Sequence, residues 1–223
     1  MIITARSNAA LKHLFVCVLL LPIIHVHATH ADKQHRSPQE IINQDFWGIL
    51  YKNGGETYYC NKPFSKPTPL IAPSYIYPRT KIREVLQCGT KRRCLSESER
   101  YRIIISDLRN IVPADAYFEF KRQNSEFGIL GEKVQANPCG IRKKLHIIEP
   151  PDKLKGDIAR TLLYMSNQYQ LPVLGNIHDL EFWTEQDPPS KAELNRLEAV
   201  ETLRPVMETT ETKEAKEAKE ASN

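Results

Sequence analysis

The chain has 223 residues, of which 26% are charged, 41% hydrophobic and 8% aromatic, with a formal net charge of +4. That length suits one domain with a real core or two small ones. The proportions are those of an ordinary globular protein, which excludes the compositionally biased classes and by itself names no function.

The first thirty-one residues differ from the rest. Arg6 and Lys12 precede an apolar run over residues 14–24, and small residues follow at Ala28 and Ala31. A basic start, an apolar middle and a small-residue end make residues 1–31 a signal peptide, so export to the periplasm or beyond is expected. The run falls short of the ~20 apolar residues of a spanning helix, although an uncleaved anchor would share its first two parts. No second apolar run follows. The mature chain is therefore expected to be soluble, without a membrane partner, and monomeric.

Residues 32–40 are polar and read as a mobile leader. From 41 to 51, Ile41, Ile42, Phe46, Trp47, Ile49 and Leu50 recur at helical spacing, and Asn53-Gly54-Gly55 ends that helix. Thr57-Tyr58-Tyr59 is a short strand candidate. Pro63, Pro67, Pro69, Pro73 and Pro78 keep residues 61–79 out of any helix and leave a loop with short extended pieces. Residues 80–87 suit a short helix ended by Cys88-Gly89, and Lys91-Arg92-Arg93 then falls in a loop between two cysteines. Residues 97–108 read equally as helix or strand because of Ile103, Ile104 and Ile105. Residues 125–149 suggest a hairpin or irregular strands.

The clearest helix runs over residues 153–169, with Leu154, Ile158, Leu162, Met165 and Tyr169 on one face. Further helices are predicted at 176–184 and from Ser190, as N-cap, to about 203. Residues 207–223 repeat Lys-Glu-Ala with no apolar face and read as a disordered tail, so the folded domain is placed at 41–206.

Residues 181–223 hold eleven acids against six bases, which leaves the body of the chain with a basic excess. A basic body suits a phosphate polymer; a solvated surface accounts for the same charges. Once Cys17 leaves with the signal, Cys60, Cys88, Cys94 and Cys139 remain, and an even number in an exported chain points to two disulfides. Of the three pairings, the short loop favours Cys88 with Cys94, and hence Cys60 with Cys139. A zinc site at Cys88 and Cys94 competes, but it lacks tight cysteine pairs and a nearby histidine.

Three blocks together resemble the endonuclease I family of secreted and periplasmic nucleases. Residues 106–115 (SDLRNIVPAD) resemble its Asp-Leu-His-Asn-Leu-x-Pro-Ala segment. Arg122, Asn124 and Phe127-Gly128 follow where the family has Asp-Arg-Ser-Asn and an aromatic. Residues 149–169 (EPPDKLKGDIARTLLYMSNQY) are similar to its Pro-Pro-x-x-x-x-Gly-x-Ile-Ala-Arg-Thr-x-x-Tyr-Met helix. Thr57-Tyr58-Tyr59-Cys60 and Trp183 add to the likeness. The resemblance implies an α+β fold: a ββα-metal (His-Me finger) core with surrounding helices, stabilised by disulfides. It also implies non-specific hydrolysis of DNA, with RNA as a second substrate, using Mg²⁺, Mn²⁺ or Ca²⁺.

In that family a metal stabilises the leaving oxygen, a histidine activates water and an arginine neutralises phosphate charge. The resemblance places Asn110 as a metal ligand. It marks Lys91, Arg92 and Arg93 as phosphate contacts, with a solvated loop as the alternative, and Arg122 as either phosphate-facing or structural, and leaves Arg160 for a buried ion pair. It also exposes departures. Residues 74–88 align without a gap on the family's Glu-His-Val-Val-Pro block, putting Ser74 at the glutamate ligand and Tyr75 at the histidine base, while Arg109 replaces the histidine before Asn110. No histidine lies between His35 and His146, so a shift of register cannot recover the base. A phenol with a pKa near ~10 is a poor base at neutral pH, and a hydroxyl is a weak substitute for a carboxylate on Mg²⁺. Only His146 or His178, carried in by the fold, could serve instead. The sequence thus leaves two expectations: a metal-dependent nuclease, or a degenerate member that binds nucleic acid or serves as an exported scaffold.

Overall fold

The structure is a computed structural model that describes residues 36–122 and 124–203. The expected signal peptide, residues 1–31, and the Lys-Glu-Ala tail, residues 207–223, lie outside the described residues.

The chain enters as helix α1, Pro38–Ile41, for a local reason. Pro38 occupies the first turn, and Ser37 and Glu40 close a reciprocal capping box. Arg36 adds a two-pronged ion pair to Asp45, with N–O distances of 2.6 and 2.7 Å. Residues 36–40 are therefore part of the fold, which corrects their assignment to a mobile leader. The next segment, Ile42–Leu50, has the expected apolar face but is wound as a π-helix, and Tyr51 N–H donates to Phe46 O, five residues back, at 3.0 Å. Phe46 is fully buried, with the Trp47 and Tyr51 rings at 4.5 and 4.9 Å.

Strands β1 (Gly55–Glu56) and β2 (Pro63–Phe64) form a small antiparallel pair. Gly54, at φ +83°, must be glycine, because a Cβ there would stand 2.0 Å from Phe64 O. Thr57-Tyr58-Tyr59 is the turn joining these strands and not itself a strand, as Asn61 N–H closes back on Thr57 O at 2.7 Å.

Strands β3 (Ile71–Tyr75) and β4 (Ile111–Asp115) pair antiparallel, with Ser74 opposite Val112 and Tyr75 opposite Ile111. Between them the chain leaves the sheet through α2 (Arg79–Leu86), α3 (Lys91–Glu97), α4 (Glu99–Ile105) and a 3-10 turn, Leu108–Asn110. The helix-or-strand ambiguity resolves to helix. Thr90 caps α3 and Ser98 caps α4, and Tyr101, Ile104 and Ile105 are buried at helical spacing. Lys91-Arg92-Arg93 accordingly forms the first turn of α3 and not a loop. Helix α5 (Ala116–Arg122) follows β4 directly, so β3, β4 and α5 make a strand–strand–helix unit.

A second sheet has the order β5 (Glu126–Phe127), β7 (Ile147–Glu149), β6 (Arg142–Lys144), with β7 parallel to β5 and antiparallel to β6. The long helix α6 (Lys155–Tyr169) buries Ile158, Ala159, Leu162 and Met165, and packs on α7 (Ile177–Gln186) through Leu180 and Trp183. Helix α8, Lys191–Leu203, starts where Ser190 Oγ accepts from Glu193 N–H. The architecture is α+β. Both favoured disulfides are present: Cys60–Cys139 ties the β1–β2 turn to the approach to β6, and Cys88–Cys94 staples α2 to α3. No helix among the described residues is long and apolar enough to cross a membrane.

Candidate functional site

Of the positions singled out by sequence, Ser74, Tyr75 and Arg122 lie together at the end of β3, where the pleat sends alternate side chains to opposite faces. Ser74 is fully buried, and its hydroxyl donates to Glu119 Oε2 at 2.6 Å. Glu119 stands one helical turn before Arg122 on α5. Arg122 returns bonds from Nε to Oε2 at 3.1 Å and from NH2 to Oε1 at 3.2 Å. The same NH2 donates to Tyr75 O at 2.7 Å, while NH1 is buried without a hydrogen-bond partner among the described residues. Burial opposes the charge on Arg122, but Tyr59 and Glu119 outweigh it and hold the guanidinium above its ordinary pKa.

Tyr75 is 5% exposed, and the Arg79 guanidinium lies 4.5 Å above its ring. Burial raises the phenol's pKa, and Arg79 only partly offsets that. The hydroxyl therefore stays protonated at neutral pH and cannot accept a proton from water.

Asn110 is 0% exposed, and both ends of its carboxamide are taken by the backbone of Tyr77. Its Oδ1 accepts from Tyr77 N–H at 2.6 Å, and its Nδ2 donates to Tyr77 O at 3.0 Å. Tyr77 is buried in turn, and its hydroxyl donates to Pro172 O at 3.0 Å. Asn110 thus clips the 3-10 turn before β4 to the exit from β3.

The other expected contacts divide. Arg122 is buried, so it cannot meet a polymer's phosphates. Arg109 is committed to the far side of the 3-10 turn, over the Tyr164 ring at 4.4 Å and 2.7 Å from Glu201. Lys91, Arg92 and Arg93 are exposed on α3, with Arg93 paired to Glu97 at 2.7 Å. None of the three has a hydrogen bond, ion pair or ring contact with Ser74, Tyr75 or Asn110 among the described residues. Among the described residues, no imidazole replaces the missing base. His146 is exposed at the turn between β6 and β7, and His178 is exposed beside Glu181. Sequence reasoning missed Glu119 and Arg79. Glu119 carried a signal, its three-residue spacing to Arg122 in a short helix-compatible stretch.

The family model for endonuclease I matches residues 75–205. The chain belongs to the endonuclease I family. Endonuclease-1 of Buchnera aphidicola subsp. Acyrthosiphon pisum (strain APS) is 34% identical over 113 residues, 48% of this chain and 44% of that protein. The extracellular deoxyribonuclease of Aeromonas hydrophila is 24% identical over 220 residues, covering 86% of this chain and 93% of the relative. The extracellular ribonuclease of Bacillus amyloliquefaciens is 28% identical over 113 residues, 43% of this chain and 39% of the relative. The chain thus spans less than half the length of two of these relatives and nearly all of the third.

A divalent ion held as the family pattern implies needs oxygens facing outward from positions 74 and 110. In this endonuclease I chain, Ser74 points its proton at Glu119, and the Asn110 oxygen is spent on Tyr77 N–H. The carboxylate that does reach the place, Glu119, is neutralised by Arg122. Hard divalent cations want several oxygen ligands, carboxylates foremost, and this donor set does not fit one. The described residues hold no group of three or more His, Cys, Asp or Glu arranged for a metal.

Proposed function

We propose that this endonuclease I chain binds nucleic acid and does not cleave it by the metal-and-imidazole route. One observation carries the reading: at the end of β3 a buried hydroxyl and a buried phenol, closed by Glu119, Arg122 and Arg79, stand where the family pattern has a carboxylate and an imidazole. A protonated phenol activates no water, and a carboxylate neutralised by a guanidinium attracts a cation weakly. Binding is supported by the family itself, by relatives named deoxyribonuclease and ribonuclease, and by the exposed Lys91 and Arg92 at the start of α3. Export is part of the same reading. Two disulfides suit an oxidising compartment, and two relatives are named extracellular.

The test is incubation of the purified chain with supercoiled plasmid and Mg²⁺ or Mn²⁺, with and without chelator, beside a titration of labelled DNA across salt concentrations. Binding that weakens steeply with salt, with no nicking, is the expected outcome. Chelator-sensitive nicking by the unaltered chain would overturn the reading. A Lys91→Ala/Arg92→Ala chain is expected to show a shallower salt dependence by roughly one to two phosphate contacts.

A further inference from the structure

Helix α5 has two faces. Inward, Phe118 packs on the Tyr59 ring at 4.4 Å, and Glu119 and Arg122 close the end of β3. Outward, Tyr117 and Phe120 stand one turn apart, 69% and 68% exposed, which is unusual for two large aromatic rings on one short helix. Leu70, 74% exposed, adjoins them, since its carbonyl accepts from Ala116 N–H at 2.8 Å.

The charge around these rings is positive. Lys121 Nζ lies 5.4 Å from the centre of the Tyr117 ring, and Lys143 of β6 donates to Lys121 O, which brings a second lysine to the same edge. The nearby carboxylates are already spent: Asp115 caps α5 through Tyr117 and Phe118 N–H and pairs with Lys62 at 3.0 Å, while Glu119 is turned in to Arg122. Among the described residues, Lys121 and Lys143 form no ion pair with a carboxylate.

We propose that the outer face of α5 is a stacking platform for the bases of single-stranded DNA, with Tyr117 and Phe120 taking the rings and Lys121 and Lys143 the phosphates. The proposal rests on the nucleic-acid-binding reading and deepens it. Unpaired bases offer flat rings with regularly spaced negative charge beside them, and exposed aromatics flanked by lysines match both features. In a duplex the base faces are hidden, so the same rings gain little from it.

The experiment uses the whole chain and compares it with a Tyr117→Ala/Phe120→Ala chain. Fluorescence anisotropy is read with labelled oligothymidylate, with labelled oligouridylate and with a labelled hairpin duplex. Stacking on aromatics is worth ~1–3 kcal/mol per base, so the double substitution is expected to weaken oligothymidylate binding by about tenfold or more and duplex binding by less than about twofold. A Tyr117→Phe chain, which keeps the ring, is expected to bind like the unaltered one. If the unaltered and alanine chains bind oligothymidylate alike while both bind the duplex, the platform is wrong and the proposed function stands. If the unaltered chain binds no nucleic acid at all, both fail. Preference for oligouridylate overturns the assignment to DNA. A dimer of the unaltered chain in sedimentation that the double substitution dissolves, without any loss of oligothymidylate binding, makes the patch a contact between copies.

Discussion

The Glu119–Arg122 pair beneath β3 and the Asp157–Arg160–Glu193 group between α6 and α8 are both built around a guanidinium, yet they balance their charges differently. In the first, one carboxylate meets one guanidinium, and a serine hydroxyl and a backbone carbonyl take up the spare capacity. In the second, Arg160 serves two carboxylates and the Asp187 carbonyl. It reaches Glu193 at 2.9 and 2.5 Å, Asp157 at 2.8 Å and Asp187 O at 2.7 Å. One positive charge cannot neutralise two negative ones. Burial, and then Glu193 beside it, pushes the Asp157 carboxyl up to about 7. The strongly perturbed carboxyl thus lies in the scaffold, on the helix whose sequence most resembles the family, and not at the end of β3. A perturbed pKa is often a sign of an active site, but unbalanced structural ion pairs produce it too, and here the second cause applies.

That contrast is open to direct attack, and the largest effect is expected at the balanced pair. Arg122→Met removes the partner of Glu119 and the donor to Tyr75 O, and stability should fall by about 3–5 kcal/mol, read as a drop in denaturation midpoint. Adding Glu119→Gln should recover part of that loss, because no uncompensated carboxylate remains. If the second change deepens the loss, Glu119 is not neutralised by Arg122. Next comes the clip. Asn110→Ala strands the Tyr77 N–H and carbonyl in a buried place and should cost about 2–3 kcal/mol. Asn110→Asp keeps the acceptor for Tyr77 N–H but sets a carboxylate against Tyr77 O, so it should be no better tolerated. A well-folded Asn110→Ala chain with unchanged stability would return Asn110 to the role of an open ligand.

Much of the frame was legible in the sequence because local physics decided it. The apolar stripe of α6, the cap at Ser190, the proline-broken stretch before β3 and the favoured pairing of the cysteines follow from spacing and residue type. What sequence could not give was direction. Asn110 was readable as a ligand by resemblance, but whether its amide looks out or in depends on Tyr77, thirty-three residues away in sequence. Arg122 was readable as a phosphate contact until β3 was laid over it. Lys91-Arg92-Arg93 reads as a loop between two cysteines, but the Thr90 hydroxyl accepts from Arg93 N–H and starts α3 there. Thr57-Tyr58-Tyr59 has strand-forming residues, yet a tight turn and the bond from Tyr58 N–H to Pro113 O, at 2.7 Å, override that preference.

The smallest expected effect is at the unbalanced cluster, and its sign can be worked out. Asp157 titrates at about 7 in the fold against an ordinary value of 3.8. Between those values the folded chain keeps a proton that the unfolded chain has released. The contribution of Asp157 to stability is therefore full at low pH and is lost as pH rises through about 7. Glu193 runs the other way. Burial works against its charge, but the hydrogen bonds from Arg160 and Asp157 outweigh that and hold it below its ordinary value, so its contribution is lost on acidification. Asp157→Asn keeps a group that can bond both Arg160 and Glu193 and removes the excess charge. The substituted chain should match the unaltered one at pH ~3, pull ahead as pH rises from there, and exceed it by at least about 1–2 kcal/mol at pH ~8. Denaturant titrations at a series of pH values read this directly. Parallel pH profiles for the two chains would mean that Arg160 balances both carboxylates after all, and the contrast with the Glu119–Arg122 pair would disappear.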